Sequence, residues 1–177
     1  MRRPRSGSLR PGALVGGCTV GLAISWNIAN TGPVATQLAH RYGTSLGVIG
    51  LLPAVLFFAE LPMMLPGGRA IDRFGAKPVG VLAVAISLVA NAALLLATSA
   101  GAALALRTFA GLGVGLGFLA GAIYAQDGTS TPATAGGRSA ALASGIYGAA
   151  ALTGGGLALA VVPQLAGPLG WRAPYAT

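Results

Sequence analysis

Charge is what this sequence has least of. Of its 177 residues three are acidic and 11 are Lys or Arg, 8% in all, against about 25% in soluble domains. That scarcity excludes an ordinary soluble domain, and equally a disordered segment, which is polar and charge-rich. Cysteine is represented by Cys18 alone, so no intrachain disulfide can form. One cysteine and one histidine, His40, cannot build a His/Cys zinc site. The 29 glycines have no G-X-Y period, which excludes collagen. The densest glycine run has Leu116 and Phe118 where a dinucleotide-binding G-x-G-x-x-G would need glycine, and no strand precedes it. A serine hydrolase would need a histidine facing Ser144, but His40 lies in a polar connection. The expectation is no catalytic residues, no metal and no cofactor. The net charge of +8 raises the question of nucleic acid. The basic residues lie between apolar runs rather than on an aromatic-interleaved face, so no nucleic-acid partner is expected.

What is present is apolar sequence in long blocks. Hydrophobic residues make up 54%, and residues 11–40, 42–59, 78–106, 108–126 and 139–171 contain no Asp, Glu, Lys or Arg. Apolar runs of about 18 residues or more read as membrane-spanning helices. The reading is an all-α integral membrane protein with the lipid bilayer as its first partner. Five spans are expected, at about 12–34, 46–66, 78–97, 102–123 and 139–162. A basic segment, 1–11, precedes them, and a tail, 163–177, follows. Thr31-Gly32-Pro33 should bend or thin the end of the first span, and Ser45 or Thr44 should cap the second. The 67–77 segment is expected to be a polar connection, and Pro163 to close the fifth span. The apolar stretch before Cys18 is about five residues, too short for the h-region of a cleaved signal.

Short connections force the spans to alternate sides. With the N-terminus inside, Arg2, Arg3, Arg5, Arg10, Arg69, Arg73, Lys77 and Arg138 are cytoplasmic, and only Arg41 and Arg172 are outside. Eight against two is a positive-inside bias. It places the N-terminus and the 67–77 segment in the cytoplasm of a multi-pass cell-membrane protein, and the tail outside.

The segment Gly68-x3-Asp72-Arg73-x-Gly75-x-Lys77 closely resembles the loop signature of the major facilitator superfamily of secondary transporters. Arg107-x3-Gly111-x-Gly113 is similar to that family's fourth-helix motif, and Gly170-Trp171-Arg172 to the Gly-Trp-Arg that often precedes its sixth helix. The resemblance covers essentially the whole chain. It implies a secondary transporter of a small molecule or ion, driven by an ion or proton gradient. Family members usually have twelve helices in two halves, so the chain resembles the first five helices of an N-terminal half. The missing C-terminal helices of the same transporter then become a partner. The competing expectation is an inactive fragment, or a small membrane partner without a transport cycle.

The resemblance also implies roles for Gly68, Asp72, Arg73, Gly75 and Lys77. In the family the loop acid pairs with charges and helix ends to latch the cytoplasmic side. The plainer alternative is a solvated connection whose charges set topology. Other candidates come from the residues themselves. Glu60 is the only acid within a span, about 21 Å along its helix counted from Leu46. Loss of water penalises an ionised carboxylate, so Glu60 is either a coupling-proton site or a group wetted near the cytoplasmic mouth. Arg107 keeps its charge and must face the bundle interior or water. It is either a substrate-anion or proton-relay group or a tether between helices. Asn27 and Asn30 lie at a similar depth and can accept from it. Glu60 should lie about 12 Å deeper, too far for a direct pair. Gly111, Gly113, Gly115, Gly117 and Gly121 recur at spacings that let helix backbones approach closely. Trp26 and Tyr147 are expected to be lipid- or bundle-facing filler.

Overall fold

The computed structural model describes residues 11–127 and 138–177. Arg2, Arg3, Arg5 and Arg10, and most of the polar 124–138 segment, lie outside the described residues. Those described form α-helices: α1 (Pro11–Ala29), α2 (Ala35–Tyr42), α3 (Leu46–Phe74), α4 (Ala76–Leu94), α5 (Ala100–Asp127), α6 (Arg138–Leu169) and α7 (Ala173–Ala176). There is no strand among them. Among the described residues five segments are long and apolar enough to cross a membrane: Pro11–Tyr42, Leu46–Phe74, Ala76–Leu94, Ala100–Asp127 and Ser139–Ala176.

The first segment is interrupted where Pro33 sits. A short 3-10 turn (Gly32–Val34) joins α1 to α2, because proline fixes φ and offers no N–H to the helix ladder. Helix α2 stops at Gly43 in the left-handed conformation (φ 59°), which glycine adopts without a Cβ clash. Ser45 caps α3 by accepting from the Val48 N–H at 3.3 Å. Ser99 does the same for the start of α5, accepting from the Ala102 N–H at 3.2 Å.

Two expected boundaries differ. The 67–77 segment is not an irregular loop. Helix α3 runs on through Gly68, Asp72 and Arg73 to Phe74, with Pro53, Pro62 and Pro66 inside it, and α4 begins at Ala76. Only Gly75 separates them. Its φ of 88° is positive, but its ψ of 157° makes an extended kink rather than a left-handed turn. The charges of this segment are carried on helix ends, where water can solvate them. Pro163 likewise does not end the fifth span, since α6 continues past Pro163 and Pro168 to Leu169. A membrane helix tolerates the backbone bond each proline removes, because neighbours, water or local adjustment satisfy the freed group.

Helix α5 is the axis of the bundle. It packs against α1, α3 and α4, with a smaller contact to α6. Half of its most apolar window is buried, against a third or less in the other spans. The glycines explain how one helix can serve so many neighbours. A Cβ on Gly111 would run into the Leu56 carbonyl of α3, and one on Gly115 would lie 2.7 Å from the Glu60 carbonyl. A Cβ on Gly113 would lie 2.9 Å from the Ala83 carbonyl of α4. On Gly117 it would meet Ile24 of α1 at 2.6 Å, and on Gly121 Tyr147 of α6 at 2.9 Å. Gly17 of α1 and Gly154 of α6 make equally close approaches, to Gly121 and Leu22 respectively. The outward faces carry large apolar side chains, including Phe58, Leu65, Leu88, Leu96 and Leu152, suited to contact with lipid.

Candidate functional site

Arg107 belongs to the buried stripe of α5. Ala103, Ala110 and Val114 lie one or two turns away on the same face, and all four residues have no exposed surface. The guanidinium therefore projects into the protein rather than toward lipid. Facing it is the end of α1. Asn27 occupies the buried side of the last turn. Asn30 sits just past that turn, its own N–H closing onto the Trp26 carbonyl at 3.0 Å, where the approach to Pro33 ends the helix.

These elements build a tight polar cluster. Arg107 Nη1 donates to the Asn27 carbonyl oxygen at 3.0 Å and to Asn27 Oδ1 at 2.8 Å. Nη2 donates to Asn30 Oδ1 at 2.6 Å. Asn30 Nδ2 in turn donates to the Pro174 carbonyl at 2.7 Å, tying the cluster to α7. The Tyr175 ring lies under the cation, its centroid 5.7 Å from the guanidinium carbon. Every acceptor is neutral. The charge is spread over amide oxygens and one aromatic face, and no carboxylate opposes it in these contacts.

The cluster is also incompletely satisfied. Arg107 Nε, Asn27 Nδ2, Tyr175 Oη and Tyr42 Oη are buried without a hydrogen-bond partner. A mainly apolar cavity of about 480 Å³ adjoins Asn27 and Tyr175, with Trp26, Ser87 and Asn91 also in its lining. Trp26 Nε1, Ser87 Oγ and Asn91 Oδ1 are unpartnered as well. Buried polar groups are normally hydrogen-bonded, so this concentration marks the place where a polar guest or water would be accommodated.

Glu60 is brought close to the axis but not to Arg107. Its backbone abuts Gly115, about two turns along α5 from Arg107. The side chain is buried and Oε2 has no partner. Asp72, Arg73 and Lys77 are exposed around the Gly75 kink, with the Arg73 guanidinium 5.2 Å from the Phe74 ring. No group of three or more His, Cys, Asp or Glu among the described residues could hold a metal ion.

Comparison with known protein families matches residues 17–177 to the Major Facilitator Superfamily. The chain belongs to this superfamily. It is thus a multi-pass membrane protein of the transporter kind, and the five apolar helices and the strand-free described structure agree with that class. No curated protein matches the sequence.

Two residues that the sequence did not single out lie near Arg107. Tyr175 and Tyr42 flank Arg107 and come from segments read as tail and connection. The sequence offers no periodic signal for either. Tyr147, expected to be filler, donates from Oη to the Phe118 carbonyl at 2.9 Å and packs on Gly21 and Gly121. Among the glycines of α6, Gly145, Gly148 and Gly156 have open space where a Cβ would stand, whereas Gly154 makes a close approach.

Proposed function

We propose that the chain is the N-terminal portion of a superfamily transporter that moves a small solute, coupled to an ion or proton gradient. The N-terminus and the Gly75 kink face the cytoplasm of the cell membrane. The observation that carries the reading is Arg107, a permanent cation with no exposed surface, held by three neutral oxygen acceptors on Asn27 and Asn30, of which Asn27 also lines the neighbouring cavity. A fully desolvated charge with no carboxylate opposite it is expensive to maintain, and within membrane helices such groups serve substrate or proton pathways. Arg107 is assigned to the substrate anion or the proton relay, with Asn27 and Asn30 fixing its fork. Glu60, whose Oε2 is buried and unpartnered, is assigned to proton binding. Asp72, Arg73 and Lys77 latch the cytoplasmic side against the remaining helices of the same transporter.

Reconstitution of the chain in sealed vesicles tests this. Uptake of labelled solutes under an imposed pH gradient, abolished by Arg107→Ala and by Glu60→Gln, is the expected result. Glu60→Gln should spare solute exchange that needs no gradient. Correct insertion without uptake of any solute would favour the alternative, an inactive fragment or small membrane partner with no transport cycle.

A further inference from the structure

We propose that Arg41, Trp171 and Arg172 form a binding site for a phosphate-bearing anion, at the end of the bundle remote from Asp72. The site is separate from the Arg107 cluster and does not depend on the transport reading.

Two cations share one aromatic ring. The guanidinium carbon of Arg41 lies 5.0 Å from the centroid of the Trp171 indole, and that of Arg172 lies 5.1 Å from it. The two like charges are therefore held no more than about 10 Å apart, a distance at which they repel. Local structure fixes this arrangement. Arg41 is in the last turn of α2, which ends at Gly43. Trp171 and Arg172 follow Gly170, whose positive φ of 57° turns the chain out of α6. The indole packs against the buried cluster that includes Leu38 and Val162, so it is a braced platform rather than a loose side chain.

Nothing in the protein neutralises the pair. The only acidic side chains are Glu60, Asp72 and Asp127. Glu60 lies about 21 Å along α3 from its Leu46 end, the end adjoining α2. Asp72 and Asp127 close α3 and α5 at the opposite end of the bundle. Beside Arg41 and Trp171 is an open, mainly apolar groove of about 420 Å³, whose lining also includes Thr36, Gln37, His40 and Gly170. A fixed cation pair matches the donor requirement of a phosphate, which guanidinium forks bind through paired charge-assisted bonds. Tryptophan is also enriched at the headgroup level, at the ends of membrane-spanning helices. The ligand chemistry is thus a phosphate mono- or diester, whether on a lipid headgroup or in solution.

The test uses the purified chain in neutral detergent with Trp26→Phe, so that Trp171 is the sole reporter. Inorganic phosphate is titrated in one arm. Phosphatidylglycerol, with phosphatidylcholine as control, is titrated in the other. A saturable change in Trp171 emission is expected, weakened about tenfold by Arg41→Gln or Arg172→Gln, the loss expected for one charge-assisted contact. Both arginines are exposed, so the variants should keep their helical circular dichroism. The double Arg41→Lys/Arg172→Lys variant, which keeps charge without the planar fork, should bind with intermediate affinity. Saturation by inorganic phosphate identifies a soluble anion; saturation by phosphatidylglycerol alone identifies a headgroup. No response in either arm, or an equal response in the Gln variants, would overturn the proposal and leave the arginines as ring-stacking topology charges.

Discussion

Replacing Arg107 separates the worth of its charge from the worth of its shape. The wild-type guanidinium makes three hydrogen bonds to neutral acceptors on Asn27 and Asn30, at and just past the end of α1. Bonds from a charged donor contribute roughly 1.5–3 kcal/mol each, but the ion's desolvation costs several kcal/mol in the other direction. Arg107→Met removes both. Three asparagine oxygens lose this donor, yet Asn27 Nδ2 is already unpartnered and can turn to serve Asn30 Oδ1. The expected net loss is about 1–2 kcal/mol. Arg107→Lys keeps the buried charge but replaces a planar fork with a single ammonium. One ammonium cannot reach Asn27 and Asn30 with the same geometry, so a less satisfied cation remains, and the loss should reach about 3 kcal/mol. The apparently conservative variant is thus the less stable one. Reversible unfolding in mixed micelles, followed by helical circular dichroism, measures the order. If Arg107→Lys equals wild type, or is more stable than Arg107→Met, the account of an under-compensated, geometry-dependent cation is refuted.

Four further outcomes follow from the packing and the charge pattern. Gly115→Ala sets a Cβ 2.7 Å from the Glu60 carbonyl and should cost about 1–3 kcal/mol in the same unfolding assay. Gly145→Ala, where a Cβ meets nothing within 4 Å, should be neutral or gain up to about 1 kcal/mol. Tyr147→Phe deletes the bond to the Phe118 carbonyl but keeps the ring between Gly21 and Gly121. The expected loss is about 1 kcal/mol, and a loss equal to that of Tyr147→Ala would show that the hydroxyl, not the packing, dominates. In a Cys18→Ser background, Asp72→Cys should react with a membrane-impermeant maleimide only in inverted vesicles, whereas a cysteine at Thr36 should react only in right-side-out ones. The reverse pattern would overturn the proposed orientation.

The number and class of the helices were legible in sequence because charge is excluded from hydrocarbon so strongly that its absence over a long run leaves few alternatives. The boundaries at 67–77 and at Pro163 were not. Local charge and proline both suggest a break, but a helix end reaching beyond the hydrocarbon solvates its charges without unwinding, and neighbouring helices tolerate a proline. The meeting of Arg107 with Asn27 and Asn30 was accessible by counting residues, since rise per residue fixes depth in a straight helix. Depth does not fix rotation about the helix axis. The direction in which the guanidinium points, and its contact with Tyr175, needed the packed structure.

By itself, the sequence determined that this is a membrane protein with five apolar spans, and it carried the motifs of its superfamily in order. Those properties depend on composition, period and spacing, which are local. Tertiary structure alone decided which glycine touches which helix and that Tyr147 bonds across to α5. It also decided that Arg41 and Arg172, far apart in the chain, share one indole. These are relations between helices set by rotation and crossing, and one-dimensional spacing does not encode them for the reader.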